Sequence, residues 1–206
     1  MIGSCSRCGN YKWDKTVEGN VAICPECGNR WAFKKAPTFI LTGCSGVGKT
    51  ATGQELQKMT DEFIVLDGDM FHSLLQPTDN EGHMQVVEQM LALTKNINQA
   101  GKSVVWTKAG LIDKLPLAYG ARFLAGFKVL ALTAQEEELV RRMKEGRGIK
   151  DEGWIRSSVE YNAYFQNHDR IGEVEYDTLD CTNQTPKEVA ARVLEWLRRA
   201  KENGPK

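Results

Sequence analysis

Eight residues, Gly43-Cys44-Ser45-Gly46-Val47-Gly48-Lys49-Thr50, constrain this chain more than any others. They fit G-x-x-x-x-G-K-[ST] in full. Such a loop wraps a phosphate with its backbone N–H groups, and glycines let the backbone close in on the anion. It needs a strand before it and a helix after it, because the positive end of the helix faces the anion. The flanks comply. Thr38 to Thr42 (T-F-I-L-T) is a short β-branched and apolar run, and a helix-compatible segment follows Thr50. A dinucleotide-binding turn would place its third glycine three residues after the second and would lack the Lys-Thr pair. The motif therefore assigns Gly43, Ser45, Gly46, Val47, Gly48, Lys49 and Thr50 to a nucleoside triphosphate. Lys49 reaches the outer phosphates and the Thr50 hydroxyl ligates Mg2+.

The rest of the chain repeats the strand-then-helix theme. Further apolar, β-branched runs stand at 63–66, 103–107, 127–133 and, more weakly, 176–182. Between them Val86, Val87, Met90, Leu91, Thr94 and Ile97 fall at helical spacings, as do Val189, Val193, Trp196 and Leu197. Thr185, Pro186 and Glu188 mark the start of the last helix with a capping box. Thr133 and Glu136 offer the same signature for a helix carrying Leu139, Val140 and Met143. Residues 76–82 and 145–153 read as loops. Trp154, Tyr161, Tyr164 and Phe165 read as one core-facing set. Cys44 reads as a small residue of the loop and Cys181 as part of a core strand. Strands alternating with helices imply an α/β fold with a parallel sheet covered on both faces. No run approaches the roughly 20 apolar residues of a membrane span, and the first residues lack a signal-peptide pattern. The expectation is a cytoplasmic protein. Lys plus Arg and Asp plus Glu both number 27, so bulk charge favours no polyanion.

Before Thr38 the character differs. Four of the six cysteines lie in the first 27 residues. Cys5 and Cys8, then Cys24 and Cys27, form two C-x2-C-G units at the spacing of a four-thiolate zinc site. A closed site of this kind is structural, and iron is the minor alternative. The chain thus divides at the sequence level into a zinc ribbon, 1–35, and a P-loop domain, 36–206, expected to hold separate cores. The ribbon's basic residues (Arg7, Lys12, Lys15, Arg30, Lys34, Lys35) and aromatics (Tyr11, Trp13, Trp31, Phe33) permit contact with nucleic acid. Binding a protein or packing on the P-loop domain are its other possible roles.

Neither the third nor the fourth strand run ends in an acid, as an ATPase motor would require. Acids follow the second run instead, in Asp67-Gly68-Asp69. Two carboxylates near a P-loop are able to divide two tasks, holding Mg2+ and taking a proton from an acceptor hydroxyl. An ordinary Asp-Gly turn is the competing reading. Arg141, Arg142, Lys144, Arg147 and Lys150 form a basic cluster, with Gly146 and Gly148 as hinge positions; the solvated end of a helix is its competing reading.

Gly43 to Thr50, Asp67-Gly68-Asp69 and the basic cluster together resemble the small P-loop kinases, a group that includes gluconate, shikimate, adenylylsulfate and nucleoside or nucleotide kinases. The resemblance covers roughly residues 38–200. It implies a five-stranded parallel sheet, a mobile lid and a separate acceptor-binding region. It makes Asp69 the base, Asp67 the metal-side residue, and Arg142 and Arg147 the lid arginines. It places Asn183, in the turn after the last strand, beside the adenine. His72 matches the Asp-Gly-Asp-x-x-His of gluconate kinases, whose arginine-rich continuation is absent here. The guanine-reading N/T-K-x-D motif is not met after Thr107-Lys108, which favours ATP. The implied activity is ATP- and Mg2+-dependent phosphoryl transfer to a hydroxyl of a small molecule: a nucleoside, nucleotide or sugar acid. A polynucleotide-end kinase gripping RNA or DNA with the ribbon, and a nucleotide-binding regulatory module, are the alternatives.

Overall fold

A computed structural model describes residues 2–12 and 14–202; Trp13 lies outside them. Three short antiparallel strands come first: β1 (Thr16–Glu18), β2 (Val21–Ile23) and β3 (Arg30–Ala32). Then follow β4 (Thr38–Thr42), α1 (Lys49–Met59), β5 (Phe63–Asp67), α2 (Met70–Leu75), α3 (Asn80–Gln99) and β6 (Ser103–Thr107). Two 3-10 turns, Leu115–Leu117 and Tyr119–Phe123, lead to β7 (Phe127–Thr133), α4 (Glu136–Arg141) and a π-turn at Arg142–Gly146. The chain continues through α5 (Glu152–Asn167), a small hairpin of β8 (Arg170–Ile171) and β9 (Val174–Glu175), β10 (Asp177–Asp180) and α6 (Pro186–Glu202). Among the described residues no helix is long and apolar enough to cross a membrane.

The main sheet has five strands in the order β10-β7-β4-β6-β5, with every neighbouring pair parallel. Its central strands are apolar on both faces because helices cover both. Alternation along β4 sends Phe39 and Leu41 into a cluster with Leu56, Val105, Leu130 and Trp196. Ile40 goes to the opposite cluster, with Val86, Met90, Trp106 and Phe165.

Helix starts follow local chemistry. Thr185 and Glu188 form the expected capping box: the Thr185 N–H donates to Glu188 Oε2 at 2.8 Å, and the Glu188 N–H to Thr185 Oγ1 at 3.3 Å. The same signature fails at Thr133. That residue pairs with Asp180 in the sheet, and its carbonyl accepts from the Cys181 N–H, so α4 starts three residues later. Both expected loops are shorter than the sequence indicates. Asp79 caps α3 by accepting from the Gly82 N–H, and Asp151 caps α5 by accepting from the Trp154 N–H. Trp154 thereby falls in the first turn of α5 and is 44% exposed rather than core, while Phe165 is fully buried.

The N-terminal segment does not keep its own core. Three strands of three residues bury too little alone. Ile2, Ala22 and Phe33 instead share a cluster with Phe123 of the second 3-10 turn, packed also by Val17, Trp31 and Tyr119. The Phe33 and Phe123 rings lie 5.6 Å apart. Gln99, at the end of α3, accepts from the Lys34 N–H and donates to its carbonyl, both at 3.0 Å. The expectation of separate cores is thereby corrected.

Candidate active site

The phosphate loop leaves β4 at Thr42 and enters α1 at Lys49. Gly43 has φ +135°, and a Cβ there would stand 2.5 Å from the Leu132 carbonyl oxygen. No other residue fits that position, so the cradle is built against β7 as well as β4. The Lys49 ammonium folds back over the loop and donates to the carbonyls of Gly43 (2.9 Å) and Cys44 (2.8 Å). Burial lowers its pKa, with Arg147 and Lys108 adding to the effect and Cys44 and Asp69 opposing it. Thr50, in the first turn of α1, is exposed. Closely approaching backbone, a lysine and a helix start together fit a triphosphate with Mg2+.

Arg142 ties this cradle to the far side of the sheet. Its Nη1 donates to the Val47 carbonyl (3.0 Å) and its Nη2 to the Cys181 carbonyl (2.9 Å). Its Nε donates to Glu138 (2.7 Å), whose carboxyl is held down at about 2 by hydrogen bonds from Arg141 and then Arg142. Asn183 follows in the turn after β10, exposed, in the left-handed region at φ 55°. Arg147 is exposed, with its guanidinium 5.6 Å from the centre of the Trp154 ring.

Asp67 ends β5 and Asp69 precedes α2; both are exposed. The Asp67 Oδ1 accepts from the Asp69 N–H at 3.0 Å, which fixes the turn. Strand order separates this turn from the phosphate loop, because β6 lies between β4 and β5. Leu41 and Asp67 are both register partners of Thr107. The residue emerging between the two loops is Lys108, which sequence reasoning passed over. Its side chain is 6% exposed, and Nζ lies 3.2 Å from Asp69 Oδ1 and 3.1 Å from His72 Nδ1. The available signal was a lysine directly ending a buried strand run. Helix α2 beyond it buries no residue, and Met70, Leu74 and Leu75 are exposed. A groove of about 810 Å³ opens at the opposite edge of the sheet, beside Phe127, Tyr176 and Trp196, away from the cradle.

The four cysteine sulfurs lie within 4.8 Å of one another. Cys5 and Cys27 Sγ are 3.7 Å apart, and Cys8 and Cys24 Sγ 3.6 Å. Zn–S bonds of about 2.3 Å put the edges of a tetrahedron near 3.8 Å, so the cage fits zinc. The two knuckles match: the Cys5 N–H donates to the Asn10 carbonyl and the Gly9 N–H to Cys5, as Cys24 does to Asn29 and Gly28 to Cys24. Of the basic residues on the ribbon, Lys15 is buried, Lys12 pairs with Glu26 and Arg30 with Glu18.

Known proteins place this geometry. The fold is similar to a gluconokinase from Sinorhizobium meliloti 1021, at 18% identity over 82% of this chain and 96% of that one, with a TM-score of 0.60. It is similar to a sugar kinase from Janibacter sp. HTCC2649 (20% identity, 80% and 95% covered, TM-score 0.58). It is also similar to shikimate kinase from Acinetobacter baumannii, solved with shikimate (18%, 82% and 97%, 0.53). At these identities the likeness shows the fold. No significant match was found among curated proteins. A family model described as an AAA domain matches residues 40–163, which include the phosphate loop and the Asp-Gly-Asp turn. The chain belongs to that AAA-domain family, with the fold of a small P-loop kinase.

Proposed function

We propose that this protein is a MgATP-dependent phosphotransferase acting on a hydroxyl of a small molecule. The observation that carries the reading is that Asp67 and Asp69 lie at the same end of the sheet as the Lys49 cradle, with only β6 between the two strands. Lys49 draws charge from the γ-phosphate as it transfers, and Arg147 swings from Trp154 to assist. Thr50 and Asp67 would hold the metal ion, which when bound would shield the charge on the phosphates. Asp69, exposed at the start of α2, takes the proton of the acceptor hydroxyl. Arg142, with its guanidinium already bonded to Val47, Cys181 and Glu138, holds the cradle against the turn where Asn183 borders the base. The ribbon is proposed to be a structural zinc site packed on the P-loop domain, supported by the cluster the two share.

The test is Asp69→Asn, which keeps size and hydrogen bonding but takes no proton. ATP affinity by calorimetry should stay within a few-fold of wild type, while acceptor-dependent ADP release falls by about 10²-fold or more. Equal loss of affinity and rate would make Asp69 a binding residue. No change in either would remove Asp69 as the base and leave the Asp-Gly-Asp pair as a plain turn, whereas a wild-type protein that binds ATP but releases no ADP with any acceptor would overturn the kinase reading.

A further inference from the structure

Lys108 leaves β6 between the phosphate loop and the Asp-Gly-Asp turn with its ammonium almost fully enclosed. Its stem crosses Gly68, where a Cβ would meet Lys108 Cδ at 2.7 Å and the Thr107 carbonyl oxygen at 2.9 Å. The middle glycine of the turn is therefore what lets the lysine through. A buried ammonium requires partners, and this one has Asp69 Oδ1 and His72 Nδ1. An ammonium only donates, so His72 Nδ1 is the acceptor and the ring proton sits on Nε2. Burial, and then the charge of Lys108, lower the pKa of His72, in keeping with a neutral ring; Asp69 opposes the shift and His83 adds to it. Asp69 and His72 are three residues apart at the start of α2 and share a face. One ammonium thus holds one atom of each. Asp69 Oδ2 and His72 Nε2 have no hydrogen-bond partner among the described residues.

We propose that Lys108 is the positioning residue of the acceptor site, and that the carboxylate oxygen and imidazole N–H it sets side by side select an acceptor with two neighbouring hydroxyls, a vicinal diol of a sugar, sugar acid or ribose. This rests on Asp69 being the base. One hydroxyl gives its proton to Asp69 as its oxygen bonds to the γ-phosphorus, the bond to the β,γ-bridging oxygen breaks, and ADP leaves. The neighbouring hydroxyl accepts from His72 Nε2–H, which fixes which oxygen reacts.

Two measurements test the two halves separately. Nitrogen-15 NMR of histidine-labelled protein needs no acceptor. His72 should show the Nε2–H tautomer and titrate below the ordinary histidine range. Lys108→Met should raise its midpoint and mix the tautomers, and Lys108→Arg should keep both close to wild type. An unchanged His72 in a folded Lys108→Met protein overturns the anchor. The acceptor half is read by ADP release from MgATP with D-gluconate, shikimate and adenosine, each beside an analogue lacking one hydroxyl of its diol. Turnover on at least one diol is expected, with a loss of about tenfold or more on its deoxy partner. On that diol Lys108→Met should lower kcat by about 10²-fold with the KM for ATP within a few-fold, and Lys108→Arg should recover part of the rate. Equal turnover of a deoxy analogue, or none on any of the three diols, overturns the diol assignment. The underlying readings fail by different signs: wild-type protein that does not bind MgATP sinks the kinase reading, and Asp69→Asn at full rate on a diol sinks Asp69 as the base.

Discussion

The P-loop domain and the ribbon each hang on a short glycine-bearing motif, but they support it in opposite ways. The phosphate loop is mounted on a five-stranded sheet buried on both faces, with Phe39, Leu41, Leu56 and Leu130 beneath it. Its residues are free to be chosen for chemistry, since the core holds their positions. The two cysteine knuckles are mounted on strands of three residues, and the apolar cluster beneath them is completed by Phe123 from the other region. There the motif itself must supply the stability. On the proposed reading the same economy of sequence would yield a working site in one region and a structural staple in the other.

Removing the metal should break this contrast most strongly. Elemental analysis should find one zinc per chain, and chelation or Cys27→Ser should release it. Structural zinc contributes on the order of 10 kcal/mol to folding such a segment, so amide protection across residues 5–33 should collapse. Because Phe123 loses its cover, the melting temperature of the P-loop domain should fall as well. A metal-free protein that stays folded and protected in the ribbon would sink the knuckle reading. The next largest effect is expected from Phe123→Ala. Phe123 is 2% exposed, and cutting a buried phenylalanine to alanine costs about 3–5 kcal/mol. Denaturant titration should show that loss, with protection falling in the ribbon as well as in the 3-10 turn. Loss confined to one region would restore the picture of two separate cores.

The two regions also differ in how much the sequence disclosed. The phosphate loop, the thiolate spacing and the capping box of α6 are local in the chain, so their residues alone specify them. Thr133 misled because a hydroxyl three residues before a glutamate looks the same whether its backbone is capping a helix or still paired in a sheet, and only β10 decides that. Lys108 was invisible for a similar reason. The order of strands, with β6 between β4 and β5, is a long-range fact, and it alone puts a lysine from one strand end against an aspartate from another. Phe123 reads as part of an unremarkable connection until the ribbon packs on it.

Lys49→Ala sharpens the comparison from the other side. The substitution removes the cation that the motif places on the transferring phosphate. Turnover should fall by roughly 10²-fold or more, as loss of a transition-state charge stabiliser does. The melting temperature should barely move, since among the described residues the Lys49 ammonium donates only to two loop carbonyls above an intact core. Near-normal activity in the folded variant would refute the phosphate-loop assignment. A large loss of stability would show that this motif, like the knuckles, holds its own region together.

The smallest effect is expected at Arg142, and it separates support from chemistry within the site. The guanidinium bridges the Val47 carbonyl of the cradle and the Cys181 carbonyl at the end of β10, with Glu138 behind it. On the proposed reading, an arginine so engaged would fix the distance between bound phosphates and the adenine, which matters equally before and during the reaction. Uniform support of this kind affects substrate binding and leaves the chemical step alone. Arg142→Gln should therefore raise the KM for ATP by about tenfold, near 1.4 kcal/mol, with kcat at saturating ATP within a few-fold of wild type. The same anchor sets an acid limit. The Glu138 carboxyl goes from about 4.5 to about 2 on folding, so it contributes stability above pH 4.5 that is lost as the pH falls toward 2. Arg142→Gln should flatten that part of the stability profile, because one of the two arginines holding the carboxylate is gone. A fall in kcat of about 10²-fold at unchanged ATP affinity would instead place Arg142 with Arg147 on the transferring phosphate, and the link from cradle to turn would then have to come from the backbone alone.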